Sequence, residues 1–169
     1  IKTNSHFKQF IRTNVLLLLL AGFQLSAWAY DFTATTVDEL KTALTNASGT
    51  ASSPYEIFIK NGVYDLGTEI NTQVKDYTHL IGESRDGVII KNSPAVEGLD
   101  KTATLQTGSN VSIKNLTLKC RAPWSGSAER GVCLWDKGTN NTYENICLDG
   151  LQDTYYSNGA AGMTCTFTN

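Results

Sequence analysis

The 169-residue chain is short of histidine (two), proline (three) and cysteine (four), and it has no excess of basic residues. Each shortage excludes a class of protein. Three prolines beside 14 glycines do not make a collagen-like repeat, and four cysteines in this length do not make a disulfide miniprotein. None of Cys120, Cys133, Cys147 and Cys165 stands in a CxxC pair, and His6 and His79 are remote from them in sequence. That argues against a zinc site, and neither a metal nor a cofactor is expected. The 14 Lys and Arg against 16 Asp and Glu give a formal charge of −2, which is not the balance of a nucleic-acid-binding polycation. Long apolar runs are missing too: Val15 to Ala21 falls well short of the roughly 20 residues a membrane span needs. What is present, 41% hydrophobic and 18% charged residues, suits a folded domain rather than a disordered tail.

The chain opens at Ile1 rather than Met, which implies an unusual start codon or an incomplete N-terminus. Lys2, Lys8 and Arg12 form a positive leader region ahead of the apolar run, and Ala27-Trp28-Ala29 offers the small residues of a cleavage site. Residues 1–29 therefore read as a secretory signal peptide, with residues 30–169 as the mature part. Removing the leader leaves 11 basic against 16 acidic residues, net −5. The expected location is extracytoplasmic, secreted or periplasmic, with no membrane attachment after cleavage. Export allows the cysteines to pair, and four of them permit three connectivities that sequence does not separate; burial as small apolar residues is equally compatible.

The mature chain begins with a helix signal. Thr36 and Glu39 make a capping box, and Val37, Leu40 and Leu44 share one face at helical spacing, so a short helix should pack at one end of the domain. The period then changes to two in Glu56 to Lys60, with Asn61-Gly62 turning the chain before Val63-Tyr64.

Later strands repeat one another. Val88, Ile90 and Asn92 recur 23 residues on as Val111, Ile113 and Asn115, so both stretches read as strands; Asn115 to Leu118 reappears 30 residues on as Asn145 to Leu148. A repeat of this period, with one strand group per period and insertions in one place such as 121–129, is the pattern of a solenoid. Coils that cannot bury their own inward Val and Ile share a core by stacking. The aligned Asn92, Asn115 and Asn145 suit turns whose side-chain amides bond a neighbouring coil.

Asp149 to Tyr156 is the sharpest local feature. A carboxyl beside an amide, followed by aromatics, gives a surface groove a proton donor, an oxyanion donor and a flat face for a sugar. A Gln-Asp pair at a turn is also, more simply, a solvated pair.

Gly150-Leu151-Gln152-Asp153-Thr154-Tyr155-Tyr156 resembles the Gly-aromatic-Gln-Asp-Thr-Leu-Tyr signature of pectin methylesterases. Ile57 to Tyr64 resembles that family's Ile-x-Ile-Lys-Pro-Gly-Val-Tyr strand, with Asn61 in the Pro place. Leu80 to Glu83 resembles its Leu-Ile-Gly-Asp turn, and Asn115-Leu116-Thr117 its Asn-Ile-Thr strand, all in the family's order. The resemblance spans about residues 32–169. It implies an all-β fold, a right-handed parallel β-helix (solenoid), here truncated and with a short N-terminal helix. It also implies hydrolysis of the methyl esters of homogalacturonan to pectate and methanol through an aspartyl acyl-enzyme, in cell wall modification or pectin degradation, by a monomer. Asp153 matches the acid/base, which a neighbouring carboxylate would help to keep protonated; Gln152 matches the oxyanion donor, and Tyr156 a sugar-subsite aromatic.

Two positions depart from the pattern. The family's second Gln falls 22 residues before Gln152, where Arg130 stands; its guanidinium can still donate to an oxyanion or a uronate. Lys119, Arg121 and Arg130 would together offset the net −5 for a polyanionic substrate, and Trp124 and Trp135 would flank a groove. The nucleophilic Asp of the family follows about one coil after the acid/base, yet no Asp occurs among Thr154 to Asn169. The expectation is an N-terminal fragment, inactive alone. The alternatives are a pectate lyase-like β-helix enzyme, which would need clustered carboxylates for calcium, and a non-catalytic carbohydrate-binding solenoid.

Overall fold

The computed structural model describes residues 29–123, 130–159 and 162–169. The expected leader, apart from Ala29, and Trp124 lie outside them. Strand β1 (Phe32–Ala34) and helix α1 (Val37–Asn46) come first. A coil of β2 (Tyr55–Ile59), β3 (Gly62–Asp65) and β4 (Thr72–Val74) follows, then one of β5 (Thr78–Gly82), β6 (Val88–Asn92) and β7 (Leu105–Thr107). The third coil holds β8 (Ser112–Lys114), β9 (Thr117–Cys120) and β10 (Leu134–Asp136). The fourth holds β11 (Asn141–Glu144), β12 (Cys147–Asp149) and β13 (Tyr155–Ser157), and β14 (Cys165–Thr168) starts another turn. Among the described residues three sheets result, in the orders β1-β2-β5-β8-β11-β14, β3-β6-β9-β12 and β4-β7-β10-β13, and the strand pairings within them are parallel. The chain is thus a parallel β-solenoid, as its repeats led one to expect.

Register turns the two-residue alternation of each strand into columns. On the six-stranded sheet Phe32, Ile57, Leu80, Ile113, Tyr143 and Phe167 lie side by side. On the second sheet Tyr64, Ile90, Leu118 and Leu148 do so. Ile57, Leu80, Ile90, Ile113, Leu118 and Tyr143 are all fully buried. Burial of each such side chain stabilises by about 1.5–3 kcal/mol, and no coil achieves it without a neighbour.

Helix α1 closes one end as its sequence predicts. The Glu39 amide donates to Thr36 Oγ1 at 3.2 Å and the Thr36 amide to Glu39 Oε2 at 3.1 Å. Leu40, Ala43 and Leu44 face inward, over β1, β3 and β4.

The repeat was right in kind and wrong in one register. Val88–Asn92 belongs to the second sheet and Ser112–Lys114 to the six-stranded one, so the 23-residue match compares different faces of the coil. The 30-residue match is the true one, pairing Lys114 with Glu144 and Leu118 with Leu148. Asn115 and Asn145 sit in turns at φ 53° and 49°, and Asn145 Nδ2 donates to Asn115 Oδ1 at 2.9 Å. Asn110 and Asn140, at φ 58° each, repeat the arrangement at 3.3 Å. Asn tolerates this left-handed conformation because its short side chain bonds locally. Asn110 and Asn115 therefore flank the strand instead of lying within it. Asn92 does something else: fully buried, it donates to the carbonyls of Glu69 and Thr102 and accepts from Thr104 Oγ1. In the Asn115 column the preceding coil carries Gly82, where a Cβ would come within 2.0 Å of the Asn115 carbonyl oxygen.

Candidate active site

The sheet β4-β7-β10-β13 places the singled-out residues. Its outward column is Gln73, Gln106, Trp135 and Tyr156, in that register. The segment ahead of β13 is tied to the coil below it. The Leu151 amide donates to the Gly131 carbonyl, the Gly131 amide to the Gln152 carbonyl and the Cys133 amide to the Thr154 carbonyl. Gly150 is required because a Cβ there would approach the Gly131 carbonyl oxygen to 2.4 Å. These bonds set Gln152 beside Arg130 as an isolated parallel bridge. The count of 22 residues that linked the two positions is thus one turn of the solenoid.

Gln152 and Asp153 are exposed, Asp153 at φ 60°, a left-handed turn that Asp tolerates better than most residues. The Arg130 Nε lies 3.2 Å from Asp153 Oδ2, each side chain 42% exposed. The Nε–H is not aimed at the carboxylate, so the contact is coulombic more than a directed hydrogen bond. Among the described residues, the charged group beside Asp153 is the Arg130 guanidinium. The Arg130 backbone is fixed separately: its amide faces Glu97 Oε2 at 3.4 Å and its carbonyl accepts from Gly98.

Tyr156 is half-buried and stacks on Trp135, with centroids 5.7 Å apart and planes at 29°. Trp135 is only 9% exposed, within a small cluster with Ala103, Val132 and Leu99. It donates from Nε1 to Asn158 Oδ1 at 2.7 Å, and Lys137 Nζ stands 4.7 Å from its ring centre. Trp135 thus backs Tyr156 and offers a sugar little of its own face. The expected basic cluster divides. Lys119 and Arg121 both engage Asp149, at 3.0 and 2.7 Å, which holds that carboxyl below its ordinary range, first through Arg121 and then Lys119. Among the described residues, only Arg130 reaches Asp153.

Sequence reading missed Asp136. Next to outward Trp135, it points inward and is fully buried, accepting from Thr107 Oγ1 (3.2 Å), Asn141 Nδ2 (2.7 Å) and Tyr155 Oη (2.9 Å). Burial pushes the Tyr155 hydroxyl upward, as it does that of Tyr143 nearby. This network ties β7, β10 and β13 together beneath the site. Only the in-out alternation of β10 could have revealed it, because Asp-Lys-Gly reads as a turn. The four cysteines carry free thiols, Cys120 and Cys133 buried and Cys147 and Cys165 exposed.

A groove of about 460 Å³ between α1 and β4, lined by residues including Lys41, Glu69, Gln73 and Lys75, contains none of Arg130, Gln152, Asp153 and Tyr156. Among the described residues, the candidate site is an open surface with the Asp153 carboxyl, the Gln152 amide, the Arg130 guanidinium and the Tyr156 ring. No described helix is long and apolar enough to cross a membrane.

No family model matches the chain, and no curated protein matches it. Solved structures do. A pectin methylesterase mutant in complex with a hexasaccharide superposes with a TM-score of 0.64 at 21% identity, over 81% of this chain and 47% of that one. A pectin methylesterase from Erwinia chrysanthemi gives 0.60 at 23%, over 76% and 45%, and one from carrot gives 0.59 at 22%, over 74% and 41%. The chain spans about half the length of the structures it matches. At this identity the likeness is one of architecture, and the chain has the parallel β-solenoid fold of pectin methylesterases.

Proposed function

We propose that the chain is the acid/base-bearing part of a pectin methylesterase that acts outside the cytoplasm on methyl-esterified homogalacturonan. The observation that carries this is the pairing of exposed Gln152 and Asp153 at the entry to β13, in a solenoid that superposes on pectin methylesterases, one of them bound to a hexasaccharide. In this reading the Asp153 carboxyl gives a proton to departing methanol and later takes one from water. The Gln152 side-chain N–H donates to the oxyanion of the tetrahedral intermediate. Tyr156, held by Trp135, lies against the sugar ring. The leader expected at residues 1–29 supports export.

An aspartyl acyl-enzyme also needs a nucleophilic carboxylate, and no Asp follows Asp153 in this chain. The isolated chain is therefore expected to release no methanol from methylated pectin. A longer gene product that contains it should release methanol, and Asp153→Asn there should lower kcat by about 10²–10⁴-fold, the ordinary contribution of a positioned acid/base. Methanol release by the 169-residue chain would refute the assignment of the nucleophile. An unchanged kcat in the Asp153 variant would refute the acid/base role. Saccharide binding without methanol release by the longer product would favour a non-catalytic solenoid.

A further inference from the structure

Among the described residues, Arg130 is the cation paired with the exposed carboxyl of the candidate site. It stands in register beside Gln152, with its guanidinium Nε 3.2 Å from Asp153 Oδ2 and both side chains 42% exposed. Its backbone is held from both sides, by Glu97 Oε2 at the amide and Gly98 at the carbonyl. The main chain of Arg130 is thus fixed while its side chain rests in a half-exposed and poorly directed contact. Such a contact contributes little and is readily exchanged. Lys119 and Arg121, the other basic residues near the motif, are engaged by Asp149.

Resting on the reading given above, we propose that Arg130 exchanges partners when substrate arrives. It leaves Asp153 for the free carboxylate of a galacturonate unit next to the esterified one. A guanidinium suits this role because its planar fork accepts a carboxylate through two parallel N–H donors, which the Asp153 contact does not achieve. The incoming uronate gains the cation, and Asp153 is released beside Gln152. The site accordingly favours a pectin that already carries free acid groups over a fully esterified one. Arg130 is here a specificity residue, and its carboxylate exchange couples recognition of one sugar unit to the freeing of the acid for the next.

Calorimetric titration of the 169-residue chain tests this without relying on turnover. The probes are trigalacturonic acid and its fully methylated ester. Arg130→Gln should weaken binding of the acid by about tenfold, the loss of one charge-assisted contact, and leave the ester unchanged. Asp153→Asn should do the opposite, tightening the acid by several-fold because Arg130 loses its competitor, again with the ester unchanged. Circular dichroism on both variants checks that the solenoid is retained, and Arg130→Lys, which keeps the charge but not the fork, should fall between wild type and Arg130→Gln for the acid. Acid and ester weakened equally by Arg130→Gln, or no tightening in Asp153→Asn, would overturn the exchange while leaving the broader reading in place. Failure of the wild-type chain to bind either saccharide would overturn both.

Discussion

The first and last described coils of this chain are built from the same repeat but buried to different degrees, the last having no further coil stacked on it among the described residues. At the α1 end, Ala34, Leu40, Ile57 and Ile59 are all inaccessible, and the helix with its capping box covers the first coil. At the other end all four residues of β14 are exposed, Phe167 to 49%. Ile146, Leu148, Leu151 and Tyr155 pack on the core yet are only partly buried. A coil is as stable as its neighbours make it, because each interface contributes separately. The candidate site lies in the less buried half, so its geometry depends on β13 holding its register on β10. The Asp136 network between Thr107, Asn141 and Tyr155 supplies in polar contacts what that half lacks in apolar burial.

Thiol chemistry should show the contrast most strongly. Burial, and secondarily the neighbouring Cys120, pushes the Cys133 thiol up to about 12, and burial raises that of Cys120 as well. The thiolate is the reacting form, and at pH 8 a thiol of that kind carries about a thousandfold less of it than an ordinary cysteine. Cys147 and Cys165 face solvent on β12 and β14. Native alkylation followed by mass spectrometry should label those two and spare Cys120 and Cys133, with Cys133 slower than an ordinary cysteine by about a thousandfold. Labelling of all four at similar rates would mean that the middle coils open as readily as the last one.

Core truncations sharpen the same difference in free energy. Leu80 is fully buried between Ile57 and Ile113, so Leu80→Ala should cost about 2–5 kcal/mol in urea unfolding. Leu148 continues the Tyr64-Ile90-Leu118 column but is only partly covered, and Leu148→Ala should cost about 1 kcal/mol. Equal costs would show that the partly covered end is packed as tightly as the middle.

Much of this architecture was legible in the chain. The capping box at Thr36 and Glu39 specifies α1, and the 30-residue step from Asn115 to Asn145 is the turn between the third and fourth coils. The 23-residue step misled because strands of different sheets share one inward-outward alternation, and β6 ends at Asn92 just as β8 is followed by Asn115. Sequence does not distinguish an Asn whose backbone turns left-handed, as at Asn115, from one whose side chain is buried against carbonyls, as at Asn92. The Gln152-Asp153 pair was legible because two polar residues before aromatics are out of place in a core. The Arg130 contact with Asp153 was not, because it depends on the register of one coil on another. Asp136 was hidden for the same reason: a carboxylate ahead of Lys-Gly looks like a turn until strand pairing turns it inward.

The smallest effect expected concerns the outer surface, where the two ends should behave alike. Asp65, Lys91, Lys119 and Asp149 form one outward column on the second sheet. Lys91 pairs with Asp65 at 2.9 Å, and Lys119 and Arg121 pair with Asp149. Both carboxyls are held below their ordinary range, Asp65 chiefly by the hydrogen bond from Lys91 and Asp149 chiefly by that from Arg121. Between the depressed folded value and the unfolded value of about 3.9, the unfolded chain binds more protons, so stability rises with pH there. The contribution is complete above the unfolded value and is lost as pH falls through the folded one. Solvent screening keeps it small, since the Asp65 and Asp149 side chains are 51% and 38% exposed. Asp65→Asn and Asp149→Asn should therefore each cost less than about 1 kcal/mol at pH 7, and that cost should shrink as pH falls through the depressed folded values. If Asp149→Asn were clearly the costlier, the half that carries the site would owe its order to surface charge as well as to Asp136. The contrast between the ends would then be one of electrostatics and not of burial alone.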